Sequence, residues 1–202
     1  MTPYTPKTFQ IPTLQGISAK TIEEHLKLYQ GYVKNANLII EKIGPLMADF
    51  DANAYIIGEL QRRFSFEFNG IRNHELYFGQ LEQGPAQLPD NSAFKAAIER
   101  QAPSFDAWLG GFKTVALTRG IGWAMLYWDP TAQQLTPGWV DEQHLGHLVG
   151  LVPILALDMW EHSYVADYQP SGKKQYVEDY FSNINWNVVE ERFVTATQKT
   201  SA

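Results

Sequence analysis

Cysteine is absent from the 202 residues, which excludes disulfides, thiol nucleophiles, thiolate zinc sites and cysteine-ligated iron–sulfur clusters. Oxygen and imidazole donors remain, and these suit iron and manganese. The chain also lacks a long unbroken apolar run. Its most hydrophobic stretch, LGHLVGLVPILAL, is punctuated by His147, Gly150 and Pro153 and ends at Asp158, so no membrane span is expected. A basic excess is missing too: 16 Lys and Arg stand against 22 Asp and Glu, a net charge of −6, which argues against a nucleic-acid partner. The opening MTPYTPKTFQIPTL has neither a basic start nor an apolar export core, so a cytoplasmic location is expected.

What is present is an aromatic-rich chain, 45% hydrophobic, with Trp 6, Tyr 10 and Phe 11. It can bury one substantial core, or two halves sharing an interface. The first fourteen residues read as an extended, proline-anchored arm. From the cap Ser18, residues Ile22, Leu26, Tyr29, Val33 and Leu38 recur at roughly helical spacing until Gly44 and Pro45, which are expected to stop the helix. A second helical region is expected over about residues 52–81, antiparallel to the first, and Gly84-Pro85 with Pro89 marks a boundary. Beyond it, NSAFKAAIERQ and SFDAWLGGFKTVALT read as helices. Residues 120–128 read as a strand turned by Asp129-Pro130, GWVDEQHLGH as a second, shorter strand and VPILALDM as a third; 171–181 and 186–198 read as closing helices. The expected class is α+β, with a helical hairpin domain at 1–86 and an α/β domain at 87–202.

In LALDMWEHSYVADY, Asp158, Trp160, Glu161 and His162 fall within five positions. Asp is a good N-cap and Glu suits a first turn, so a strand leading into a capped helix accounts for them. The i, i+4 spacing of Asp158 and His162 equally suits a shared ion on one helical face. Five histidines exist: His25, His74, His144, His147 and His162. Singly, His25 and His74 read as core or boundary residues satisfied by a hydrogen bond. Together with Asp158 and His162 they offer three imidazoles and a carboxylate from three separated elements. Such a set suits redox-active iron or manganese with one position left open, and zinc hydrolysis is the other use of these ligands. Tyr29, Tyr32, Trp123, Trp128 and Trp160 would wall a small aromatic pocket, which fits one-electron chemistry on superoxide or dioxygen better than hydrolysis.

At DMWEHSY the chain resembles the iron/manganese superoxide dismutase family, whose signature is D-x-W-E-H-x-Y after a hydrophobic strand. The similarity continues in TIEEHLKLYQGYVKN, FNGIRNHELYF, GIGWAML and NINWNVVEERF, in family order along nearly the whole chain. The resemblance implies a helical N-terminal half and a C-terminal half with a three-stranded antiparallel sheet flanked by helices. It implies His25, His74, Asp158 and His162 as ligands of one Mn or Fe ion per subunit, a solvent molecule completing the site, and superoxide as substrate. It also implies a homodimer in which Glu161, at the glutamate position of W-E-H, reaches the partner's last histidine ligand. The alternative is a family-like metal-binding or structural protein without dismutase activity.

Several positions depart from the family pattern. The gateway tyrosine usually lies eight residues after the first ligand, where this chain has Val33; Tyr32, seven residues on, regains the same helical face if a one-residue deletion removes a bulge. The usual histidine between them is missing, with Leu28 and Tyr29 in that region, and Val165 replaces the common second tyrosine after His162. In the family these missing groups form a hydrogen-bonded pair across the dimer interface. The glutamine of iron-type members four residues before the second ligand is Gly70 here, while Gln143 and His144 stand where manganese-type members bring Gln or His to the solvent. Lys27, Lys34 and Arg72 are candidates for drawing in superoxide.

Overall fold

Helix α1 (Ala19–Leu46) and helix α2 (Phe50–Gly79) form an N-terminal hairpin, joined by a 3₁₀ turn at Met47–Asp49, in the computed structural model, which describes residues 2–198. Ser18 caps α1 by accepting the Thr21 N–H, and Asp49 caps α2 by accepting that of Ala52. Along α1, Ile22, His25, Tyr29, Val33 and Ala36 are buried at helical spacing. Helix α1 ends at Leu46, one residue past the Gly44-Pro45 pair expected to stop it. A proline in the last turn forfeits only its own N–H, and the Met47 N–H still reaches back to the Ile43 carbonyl.

The C-terminal half runs α3 (Ala93–Glu99), α4 (Phe105–Ala116), β1 (Gly122–Asp129), β2 (Gln134–Asp141), β3 (Val152–Asp158), α5 (Val165–Tyr168), α6 (Lys173–Asn183) and α7 (Trp186–Gln198). The strands form one antiparallel sheet in the order β2-β1-β3, so the fold is α+β. Central β1 is buried from Gly122 to Trp128, which explains its near-continuous apolar run. Strand β2 begins four residues earlier than expected and ends at Asp141; Gln143 and His144 lie in the loop beyond it, because Glu142 adopts positive φ (52°) and breaks the strand. Trp123 on β1 is in register with Asp158 at the end of β3. Among the described residues no helix is long and apolar enough to cross a membrane.

Edge strands carry unpaired backbone groups, and both edges here are closed by a glutamine side chain. Gln101 accepts from the N–H of Leu135 (2.8 Å) and donates to its carbonyl (3.0 Å), closing β2. Gln80, just past α2, accepts from the Ala156 N–H (3.0 Å) and donates to its carbonyl (2.9 Å), closing β3. Asn37 holds Tyr4 in the same two-bond manner, and Asn183 holds Gln15, which ties the N-terminal arm to α1 and α6. Gln80 is fully buried, accepts from Arg192 on α7 (2.7 Å) and donates to Tyr180 on α6 (2.6 Å), so it joins the end of α2 to β3, α6 and α7 at one amide.

Gln80→Leu would leave the Ala156 N–H without its partner, leave its carbonyl only the Tyr180 hydroxyl at 3.2 Å, and remove an acceptor from a largely buried guanidinium. The expected cost is about 3 kcal/mol, seen as a fall in Tm of roughly 6–12 °C. Calorimetric unfolding of the variant beside the parent checks this, and an unchanged Tm would remove Gln80 from the account of how β3 is held.

Candidate metal centre

Four side chains from four places in the fold converge. His25 comes from α1, His74 from α2, Asp158 is the last residue of β3, and His162 lies in a 3₁₀ turn at Glu161–Ser163. Asp158 and His162 do not share a helical face, as their spacing had suggested. The chain leaves the strand at Asp158, whose Oδ1 accepts from the Trp160 N–H (2.8 Å), and the tight turn that follows brings His162 back. Ser163 secures the turn by donating to the Asp158 carbonyl, which Tyr176 of α6 also bonds at 3.0 Å.

The donor atoms face one another closely. Asp158 Oδ2 lies 3.0 Å from His25 Nε2, 3.2 Å from His162 Nε2 and 3.6 Å from His74 Nε2, and all four donors lie within 4.8 Å of one another. Donors held about 2.1 Å from a common ion at angles near 90–120° would stand roughly 3.0–3.6 Å apart. His25, His74 and Asp158 are wholly buried, while the His162 side chain is 21% exposed.

The protonation states suit a cation. His74 Nδ1 lies 2.6 Å from the Gly70 carbonyl and must carry the hydrogen, so its Nε2 presents a lone pair. That Nε2 is buried and has no hydrogen-bond partner. Burial lowers the His74 pKa to about 3, helped by its imidazole neighbours, and burial lowers that of His25 as well, so both rings stay neutral. Burial pushes Asp158 up, but its interactions and hydrogen bonds with His162 and then His25 outweigh that and hold the carboxyl below its usual range. A buried anion and converging lone pairs are the condition a bound metal relieves.

Beside the quartet stands a second group. The Tyr32 ring lies 5.1 Å from that of His74 and the Trp123 ring 5.0 Å, while Trp160 stacks on His162 at 5.8 Å. Uninterrupted α1 places Tyr32 two turns beyond His25, on the same face, as the one-residue deletion had implied. Fully buried Gln143 links two of these walls: its amide oxygen accepts from Trp123 Nε1 and its amide nitrogen donates to the Tyr32 hydroxyl, each at 3.0 Å. Burial, then the negative charges of Asp158 and Glu67, raise the Tyr32 pKa, so the phenol keeps its proton. His144 instead packs edge-on against Phe66 at 5.6 Å. Trp128 is not part of the pocket; it packs against Phe193 of α7. Tyr29 stacks near His74 and spends its hydroxyl on the Lys7 N–H and Glu75.

Glu161 is exposed. Of the three basic candidates, Lys27 is paired with Glu23 and Glu24, Arg72 with Glu75, and Lys34 makes no ion pair among the described residues. Sequence reasoning missed Arg63, whose guanidinium lies 3.7 Å over the Phe66 ring, bonds buried Glu67, and acts electrostatically on Tyr32. Asn73 was also missed. It donates to the Gln143 carbonyl at 3.0 Å, and its place beside His74 was the only signal.

A helical hairpin, a strand end and the 3₁₀ turn after it, together presenting three histidines and one aspartate, define a candidate mononuclear metal site in an α+β fold. The chain belongs to the iron/manganese superoxide dismutase family: residues 90–192 match the family described as iron/manganese superoxide dismutases, C-terminal domain. It is 36% identical to a superoxide dismutase (Fe) of Aquifex aeolicus, over 94% of this chain and 90% of the relative. It is 35% identical to a superoxide dismutase (Fe) of Cupriavidus metallidurans, over 92% of each. Against a superoxide dismutase (Mn) of Mycolicibacterium smegmatis the identity is 32%, over 88% of this chain and 84% of the relative.

Gly70 is fixed by close approach, since a Cβ there would stand 2.5 Å from the Tyr32 ring. Gly70→Ala must therefore displace Tyr32 and break its bond from Gln143, at a cost of about 1–3 kcal/mol. The backbone acceptor for His74 survives the change, so metal content should hold. A crystal structure of the variant with metal analysis checks both expectations, and an unmoved Tyr32 would contradict the first.

Proposed function

We propose that this chain is a superoxide dismutase, with His25, His74, Asp158 and His162 holding one iron or manganese ion per subunit. The observation that carries the reading is the buried lone-pair nitrogen of His74 aimed at an equally buried carboxylate, inside a chain of this family. When bound, the metal supplies a one-electron couple between +3 and +2, by which one superoxide is oxidised to dioxygen and the next is reduced to hydrogen peroxide. The two turns together consume two superoxide ions and two protons.

The chain's own residues set the conditions for that exchange. Asp158 brings one negative charge, and the neutral imidazoles bring none, which lowers the net charge of the site without closing it. The aromatic walls limit access to a small substrate. Tyr32 has a distinct role. Its oxygen accepts from Gln143, so its own proton has no acceptor among the described residues and is available on the substrate side. Gln143 is the better placed of the two loop candidates to orient that hydroxyl, and His144 is turned away from it.

The protein is further read as a cytoplasmic homodimer, with residues 1–86 and 87–202 as units joined through the metal. The His162 Nδ1 makes no hydrogen bond among the described residues, and Glu161 is exposed one position away, which suits a carboxylate reaching across a two-fold axis to the partner's imidazole. Exposed Leu28 and Ile121 offer apolar surface to such an interface, in a chain that lacks the family's usual polar pair.

Purified protein should contain about one iron or manganese per chain, dismutate superoxide with at least one of the two metals after separate loading, and scatter light as two chains. Stoichiometric metal with no dismutation in either form would leave a metal-binding protein of the same fold. An active monomer would overturn the dimer alone.

A further inference from the structure

The fifth histidine, His147, touches no metal ligand, yet it is bonded at both ring nitrogens. Its Nε2 lies 3.2 Å from the Gln143 carbonyl and its Nδ1 lies 2.8 Å from the Tyr127 hydroxyl. A carbonyl can only accept, so Nε2 carries the hydrogen and Nδ1 must accept from the Tyr127 O–H. The tautomer is thereby settled by its two partners. Burial also lowers the pKa of His147, which favours the neutral ring this arrangement needs.

The consequence falls on Gln143. This residue follows the positive-φ break at Glu142, outside the regular strand, where nothing in a sheet ladder holds it. Its carbonyl is instead clamped by two donors, Asn73 Nδ2 from α2 and His147 Nε2, while its side chain spans Trp123 and Tyr32. Trp123 and Tyr127 are both on central β1, so one strand anchors the loop twice: directly at the Gln143 amide, and through His147 at its backbone. Rotation of the 143 peptide would swing the amide off Tyr32, and the two carbonyl donors oppose that rotation.

We propose that His147 is a positioning residue for the redox site: by clamping the Gln143 carbonyl from Tyr127, it fixes the amide that orients the Tyr32 hydroxyl. The role rests on the dismutase reading above. It is independent of loop stability in general, because it requires the signal to reach the four converging donors through Gln143 and Tyr32.

The test uses full-length protein loaded with the metal that supports activity, and compares His147→Phe, His147→Gln and Tyr127→Phe with the parent. The readouts are the visible absorption band of the oxidised form, the affinity for azide as a small anion, kcat, and Tm. His147→Phe should shift the band, change azide affinity at least about threefold and lower kcat about tenfold, the range typical of outer-sphere partners. His147→Gln supplies an amide donor and acceptor and should restore all three to within about twofold. A lower Tm with unmoved band and azide affinity would show a merely structural role and overturn the proposal. Should His147→Phe fail to fold, Tyr127→Phe decides: a shifted band supports the clamp, and an unchanged band and azide affinity overturn it. Failure of the parent itself to dismutate would sink the enzyme reading, a result distinct from an active parent whose variants match it.

Discussion

The structure depends on one buried charge. Asp158 sits at the end of β3 with its carboxylate wholly enclosed among three imidazoles, two of them kept neutral by their own burial. A carboxylate in such a place costs several kcal/mol unless something cationic or strongly hydrogen-bonding answers it. One Trp160 N–H answers Oδ1, while Oδ2 faces only ring nitrogens, at least one of which presents a lone pair. A metal ion bound by these donors would turn this arrangement from a penalty into a bond between the helical hairpin and the sheet. The fold is then as much a consequence of the site as its support.

That constraint explains where the rigidity of the molecule is spent. Strand β3 must deliver Asp158 at a fixed height, so its free edge is closed by Gln80 and its terminal carbonyl is held by Ser163 and Tyr176. Its other edge pairs with β1, whose register sets Trp123 beside Asp158. Trp123 then holds Gln143, and Gln143 holds Tyr32, which lies over Gly70 in the helix that carries His74. The chain of contacts runs from Asp158 through the sheet and loop to α2, the helix that carries His74.

Much of this was legible in the sequence. The four candidate ligands stood out because only five histidines exist and one of them follows an acid by four positions in D-x-W-E-H. Helix α1 was legible from spacing, and Tyr32 from the family resemblance together with spacing, since a helix without a bulge returns position 32 to the face of His25. Other features were hidden for physical reasons. The i, i+4 relation of Asp158 and His162 looked helical, although a strand end and a 3₁₀ turn achieve the same meeting. Whether Gln143 or His144 faced Tyr32 turned on the single positive φ at Glu142, which no residue pattern announced. Trp128 lies five positions along β1 from Trp123, at the far end of the strand, where it packs against Phe193 of α7.

The central claim is that one ion lies among these four donors and joins the two halves. An anomalous-difference map, collected on crystals of the metal-loaded protein above the absorption edge of the bound iron or manganese, tests it most directly. The account predicts a single strong peak per chain enclosed by His25 Nε2, His74 Nε2, His162 Nε2 and Asp158 Oδ2. A peak held by other residues, or none there in protein that dismutates superoxide, would contradict it.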